Sequence, residues 1–151
     1  MIIKDRKISA NAIIGSNTTI DTPCVILDCI IGDNCYIGPF VHIQDNVIIG
    51  NKTHISSHSF ICGDVKIGDE TFIGHSVNFV NDKFSNNKVN RDKSKWLKIN
   101  VGNKVLIGTG STILTDEICD GVTIGSGSVV TKNINQPGVY LGNPARLLRK
   151  L

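Results

Sequence analysis

Along most of this chain one apolar position returns at every sixth residue, with polar and glycine positions between. Ile8, Ile14, Ile20 and Ile26 form a first run; after a five-residue step, Ile31, Ile37, Ile43, Ile49, Ile55, Ile61, Ile67, Ile73 and Phe79 form a second. Val101, Ile107 and Ile113 resume the period, and Ile118, Ile124 and Val130 complete it. Four residues after most markers stands a small or β-branched side chain, as at Cys24, Cys35, Thr53, Ser59, Thr71, Ser111 and Ser128. Glycine often follows the marker directly, as at Gly15, Gly32, Gly50, Gly68 and Gly102.

A short fixed period marks one small unit repeated and stacked, because a single unit cannot bury its own apolar side. Six residues are too few for a helix. They hold one short strand and a corner, where glycine tolerates backbone angles other residues resist. Three units close a triangular coil. The pattern therefore predicts an all-β fold, a parallel β-helix of about six coils with its markers stacked in buried columns.

Between Phe79 and Val101 the register lapses, which predicts one extended loop over 80–100 within a single domain spanning 1–151. The loop carries Lys83, Lys88, Arg91, Lys93, Lys95 and Lys98 against Asp82 and Asp92, a net +4 where the whole chain is +3. Long loops inside a compact repeat are usually functional. Trp96, the sole tryptophan, predicts that the loop docks and buries its ring rather than trailing in solvent. Concentrated positive charge suits an anionic ligand such as a pyrophosphate, with Lys83, Lys88 and Arg91 as candidate contacts. Nucleic acid fits less well, since basic and aromatic residues are not interleaved.

Composition adds limits. Few aromatic residues are available, so Ile and Val must build the core. The 5 cysteines, with no C-x-x-C pair, point away from disulfides and zinc ribbons, and Cys24 and Cys35 fill packing slots of the repeat. No apolar run approaches the ~20 residues of a membrane span, and no charged-then-apolar leader opens the chain, so a cytoplasmic protein is expected.

The period resembles the hexapeptide-repeat family, which implies a left-handed β-helix; the general rule for parallel crossovers would have given the opposite hand. The stretch Phe72-Ile73-Gly74-His75-Ser76-Val77-Asn78-Phe79-Val80-Asn81-Asp82-Lys83-Phe84 is similar to one in bacterial N-acyltransferases acting on nucleotide-linked deoxyamino sugars. It departs from them just afterwards, with Ser85-Asn86-Asn87 where those relatives have proline and arginine. Gly125-Ser126-Gly127-Ser128-Val129-Val130-Thr131-Lys132 and Leu141-Gly142-Asn143-Pro144-Ala145-Arg146 resemble the ending of CoA-dependent hexapeptide acyltransferases. The resemblance implies acetyl-CoA as cosubstrate, with Gly108, Gly110, Ser111, Gly125 and Ser126 along the thioester arm and Lys132 and Arg146 near phosphates. It also implies a homotrimer, an amino-sugar nucleotide as acceptor and a role in surface polysaccharide such as lipopolysaccharide. A short terminal helix is expected after Pro144.

Acyl transfer to a hydroxyl needs a general base, whereas a neutral amine attacks unaided and needs only an acceptor for its surplus proton. O-acyltransferases of this family place a histidine in the loop region, where this chain reads Asn81-Asp82-Lys83. Asn81 can orient an amine, and Asp82 can hold an ammonium or take its proton. His58 and His75 are candidate substrate contacts or bases; on a coil of about eighteen residues His75 falls above Ser57. An O-acetyltransferase using a histidine base is the alternative. A zinc hydratase like the γ-type carbonic anhydrases ranks lower, because His54 and His58 are four residues apart where those relatives have five. No metal is expected.

Overall fold

The computed structural model describes residues 8–151; residues 1–7 of the predicted domain lie outside the described residues. The chain folds as a left-handed parallel β-helix. Each coil lays one two- or three-residue strand on each of three flat faces. The first face stacks Ile13–Ile14, Ile30–Ile31, Ile48–Ile49, Lys66–Ile67, Asn100–Val101 and Glu117–Ile118. The second runs from Thr19–Ile20 to Val122–Ile124, and the third from Val25–Ile26 to Val129–Val130. Six coils are complete, as expected. Ile134, bridged to Ile118, and strand Gly138–Gly142 begin a seventh.

Pairing sets marker on marker: Ile14 pairs with Ile31, Ile31 with Ile49, and Ile67 with Val101 across the loop. Ile26, Ile37, Ile43, Ile55, Ile61 and Ile107 are fully buried. Ile8 and Ile14 are not, at 41% and 37% exposure, because they end their columns with no further coil beneath among the described residues. The small-residue slot also closes hydrogen bonds. Thr18, Thr53 and Thr71 donate to the carbonyls of Gly32, Gly68 and Gly102 at 2.7, 2.9 and 3.0 Å, and the Cys35 thiol donates to Gly50 at 3.1 Å. All five cysteines are free thiols, and burial pushes Cys29 and Cys62 up to about 11 and about 12.

The corner after the first face is tied by side chains as well as backbone. Asp33, Asn51, Asp69, Asn103 and Asp120 each accept the backbone N–H of the coil beneath, at 2.6 to 2.8 Å. Acid and amide alternate up this column. Adjacent coils lie about 4.8 Å apart, so the alternation keeps like carboxylates from standing on neighbouring rungs.

The chain's end corrects one expectation. No terminal helix forms; Ala145–Arg149 runs back antiparallel to Gly138–Gly142. The last strand of the second face would otherwise leave a row of unpaired backbone groups over the buried Tyr140. Satisfying that edge outweighs the modest helix preference of Arg146, Leu147, Leu148 and Arg149.

The Asp–Asn alternation generates a prediction. Asn51→Asp keeps the acceptor oxygen but sets three carboxylates on successive rungs, and should lower stability at pH 7 by on the order of 1 kcal/mol. Thermal melts should show that deficit shrinking in high salt. Asn51→Ala, which deletes the acceptor instead, should lose stability at every salt concentration.

Candidate active site

The corner between the second and third faces stacks Pro39 and Phe40, Ser57 and His58, His75 and Ser76, Thr109 and Gly110, then Ser126 and Gly127. Backbone bonds fix the column: Ser76 N–H to Ser57 O at 3.0 Å, Gly110 N–H to His75 O at 2.8 Å, and Gly127 N–H to Thr109 O at 2.9 Å. The second residue of each pair turns the corner in the left-handed region, with φ of 61° at Phe40, 63° at His58, 54° at Ser76, 71° at Gly110 and 70° at Gly127. A Cβ built on Gly110 or Gly127 meets nothing within 4 Å. This end of the corner is therefore an open, bare backbone edge.

The other predicted glycines serve packing. A Cβ at Gly108 would meet Ser126 N at 2.5 Å, and one at Gly125 would meet Leu141 Cδ1 at 2.4 Å. Ser111 is buried, its hydroxyl spent on Gly125 O at 3.1 Å, so that side chain faces the core; Ser126 is exposed. Lys132 and Arg146, expected near phosphates, line one cleft of about 220 Å³ together with Tyr140 and Ala145.

The predicted register holds at His75, whose Nδ1 lies 2.8 Å from Ser57 Oγ. His58 is exposed and stacks on Phe40, ring centroids 4.8 Å apart and planes 14° apart. His54 is held on the second face between Tyr36 at 4.5 Å and Phe72 at 5.0 Å, and His42 meets the Phe60 ring edge-on at 5.3 Å. These histidines do not converge. Among the described residues no three of His, Cys, Asp and Glu gather as a metal site.

The loop leaves the far edge of the third face after Asn78–Phe79 and returns at Asn100–Val101. It is an ordered structure, built on Asp82. One carboxylate oxygen accepts Phe84 N–H at 2.9 Å and the other accepts Asn90 N–H at 2.7 Å. Trp96 is half-buried, with its indole N–H on Asn90 O at 2.6 Å, and Leu97 N–H bonds Asn81 O at 2.8 Å while its side chain packs on the core. Lys83, Lys88 and Arg91 stand exposed, and among the described residues the loop's ion pair is Lys95 with Asp92. Asn81 is distinctive: its buried side-chain Nδ2 has no hydrogen-bond partner among the described residues. A buried donor left unmet costs about 1–3 kcal/mol.

The predicted site residues thus fall in two groups. Ser57, His58, His75, Gly110 and Gly127 share one edge of the third face; Asn81 and the basic loop occupy the other edge. Phe40 escaped the sequence reading, since an aromatic residue counts toward the core unless its slot is recognised as the left-handed corner position held elsewhere by Asn34, Asn46, Lys52 or Ser76.

Residues 28–63 match the model of the bacterial transferase hexapeptide (six repeats). That segment carries the hexapeptide repeat. Among solved structures, this chain is similar to an N-acyltransferase from Bacillus cereus in complex with dTDP and coenzyme A. The two share 24% identity and a TM-score of 0.70, over 97% of this chain and 81% of that one. It is similar to a galactoside acetyltransferase in complex with coenzyme A, at 30% identity and a TM-score of 0.67 over 80% of this chain and 64% of that one. A perosamine N-acetyltransferase from Caulobacter crescentus in complex with CoA and GDP-perosamine shares 15% identity and a TM-score of 0.64, over 93% of this chain and 54% of that one. No curated protein matches at the sequence level.

Burial of the histidines sets a pH dependence. Desolvation holds His42 and His54 below their ordinary 6.5, and the nearby charge of His75 lowers His54 further. The unfolded chain takes up protons at these residues as pH falls through about 6.5, while the folded chain resists until lower pH. Their stabilising contribution is therefore complete above that value and declines as pH drops below it. Thermal melts between pH 7 and pH 5 should show the decline, and His54→Gln should flatten it; an unchanged slope would remove His54 from the account.

Proposed function

We propose that this chain is a CoA-dependent acyltransferase that acetylates the amino group of a nucleotide-linked deoxyamino sugar, working as a homotrimer in surface polysaccharide biosynthesis. The unmet buried amide of Asn81, at the root of a basic loop without histidine, carries the reading. The group it awaits must accept a hydrogen bond, as a sugar oxygen beside the amine does, which leaves the amine's lone pair free to attack the thioester. Bound acetyl-CoA would supply the thioester acyl group. The bare edge at Gly110 and Gly127 gives the thioester arm room beside backbone, and Lys132 and Arg146 share a cleft that suits phosphate charge.

Two groups of predicted site residues on opposite edges of one face support completion of the site between copies of the chain. In that arrangement the corner of one copy, with His75 and His58, meets the loop of the next. Asn81 orients the amine, Lys83, Lys88 and Arg91 attract the pyrophosphate, and Asp82 holds the loop that presents them. Asp82 also keeps lone pairs that can receive the proton released on acylation. The structural likeness to enzymes crystallised with CoA and with dTDP or GDP-perosamine is in keeping with this reading.

The alternative, an O-acetyltransferase, has one observation in its favour. A histidine hydrogen-bonded at Nδ1, as His75 is to Ser57, has its ring oriented and its Nε2 available as a base.

A thiol-release assay with acetyl-CoA over a panel of amino and hydroxy sugar nucleotides separates the two. Asn81→Ala should lower turnover of the amino acceptor roughly tenfold to a thousandfold, the scale of losing one orienting donor, with smaller losses for His75→Ala. If His75→Ala abolishes turnover and Asn81→Ala does not, the hydroxyl reading replaces this one. Charge reversal at Lys88 and Arg91 should raise KM for the nucleotide sugar without changing the melting temperature, and added salt should do the same to the wild type. The active species should sediment as a trimer.

A further inference from the structure

We infer that the stacked rings of Phe40 and His58 form a platform for a nucleobase, the base of the acceptor nucleotide. The inference rests on the preceding proposal that the acceptor is nucleotide-linked. Three observations lead to it. Phe40 is 55% exposed, so its ring gains little from folding. It nevertheless occupies a left-handed backbone position, φ 61°, that bulky residues resist, directly beneath His58 at φ 63°. The corner imposes that conformation at Asn34, Asn46, Lys52 and Ser76 as well, so what sets Phe40 apart is a large apolar ring in a slot held elsewhere by small or polar residues.

The second observation is the stack itself. The rings lie 4.8 Å apart at 14°, which holds the Phe40 ring on one preferred surface before any ligand arrives. A flat, exposed ring of this kind accepts a base of any identity, because every base has a π-face. The third is position. Phe40 sits two rungs below His75 on the corner that ends in the bare edge of Gly110 and Gly127. A nucleotide sugar is a linear ligand, with its base at one end and its reactive amine at the other. With the base on Phe40, the sugar end can reach along the column toward His75. The intervening corner residues, Ser57, His58 and Ser76, carry no carboxylate that would repel a diphosphate.

Coenzyme A also contains a nucleobase, so the experiment must tell donor from acceptor. Affinities for UDP, dTDP, GDP, inorganic pyrophosphate and CoA are measured by calorimetry on the wild type, Phe40→Asn and Phe40→Trp, with sedimentation in parallel. Asparagine tolerates the left-handed conformation, so Phe40→Asn removes the ring without straining the corner. It should weaken the nucleoside diphosphates about tenfold to a hundredfold and leave pyrophosphate and CoA unchanged, while Phe40→Trp should retain binding. Should Phe40→Asn fail to fold, His58→Asn, which removes the supporting ring, should weaken the same ligands to a lesser degree.

Unaltered nucleoside diphosphate binding in these variants overturns the platform. So does a loss confined to CoA, which would give the ring to the donor's adenine, and so does dissociation of the oligomer, which would make Phe40 a subunit contact. If acyl transfer to an amino-sugar nucleotide proceeds with unchanged KM in Phe40→Asn, the platform falls and the proposed function stands. If the wild type neither binds a nucleoside diphosphate nor acylates any nucleotide-linked amino sugar, both fall together.

Discussion

The backbone hydrogen bond from each coil to the next governs this molecule. Ile30 N–H reaches Val47 O at 2.9 Å, Gly50 N–H reaches Ile67 O at 2.8 Å, and the same step recurs on all three faces. Because each bond spans one whole coil, a residue's neighbours are its counterparts one turn away rather than its sequence neighbours. Structure and chemistry are therefore written in columns. Isoleucine stacks on isoleucine inside, Asp and Asn alternate at one corner, and at another the sequence of rungs runs from aromatic to imidazole and hydroxyl to bare glycine.

That column logic explains what the sequence made legible. A repeat forces the same environment on every sixth residue, so the inward markers, the parallel register and even the pairing of His75 over Ser57 follow from counting. Counting fails where repetition stops. Ile8 and Ile14 obey the pattern but stand at the end of their columns, partly exposed. The terminal segment has local sequence suited to a helix, yet an unpaired sheet edge recruits it as a strand. Inside the loop, residue type marks Asp82 as an acid but does not reveal that each of its oxygens also accepts an amide, from Phe84 and from Asn90. Such contacts depend on a unique chain path that no period encodes.

The glycines illustrate how one residue type divides between roles. Gly108 and Gly125 are needed because the adjacent coil or the terminal strand leaves no space for a Cβ. Gly110 and Gly127 have ample space and are needed for their backbone angle. Only the second pair forms an accessible edge, and sequence alone does not distinguish them. The candidate site follows the same division: Ser111 is drawn inward to satisfy a carbonyl, while Ser126, one coil on and two positions before Ser111's counterpart Ser128, is exposed.

The terminal hairpin carries a further consequence. A solenoid of parallel coils is an open-ended template, since any chain offering a matching coil could dock on its last rung and repeat the process indefinitely. On the second face, Ala145–Arg149 answers that edge with a strand of opposite direction. Arg146, Arg149 and Lys150 are exposed there, alongside Leu147 and Leu148. A parallel coil approaching there meets a strand of opposite direction. On this face the short reversal therefore closes the parallel stack, so that a further coil running the same way finds no matching parallel strand to extend.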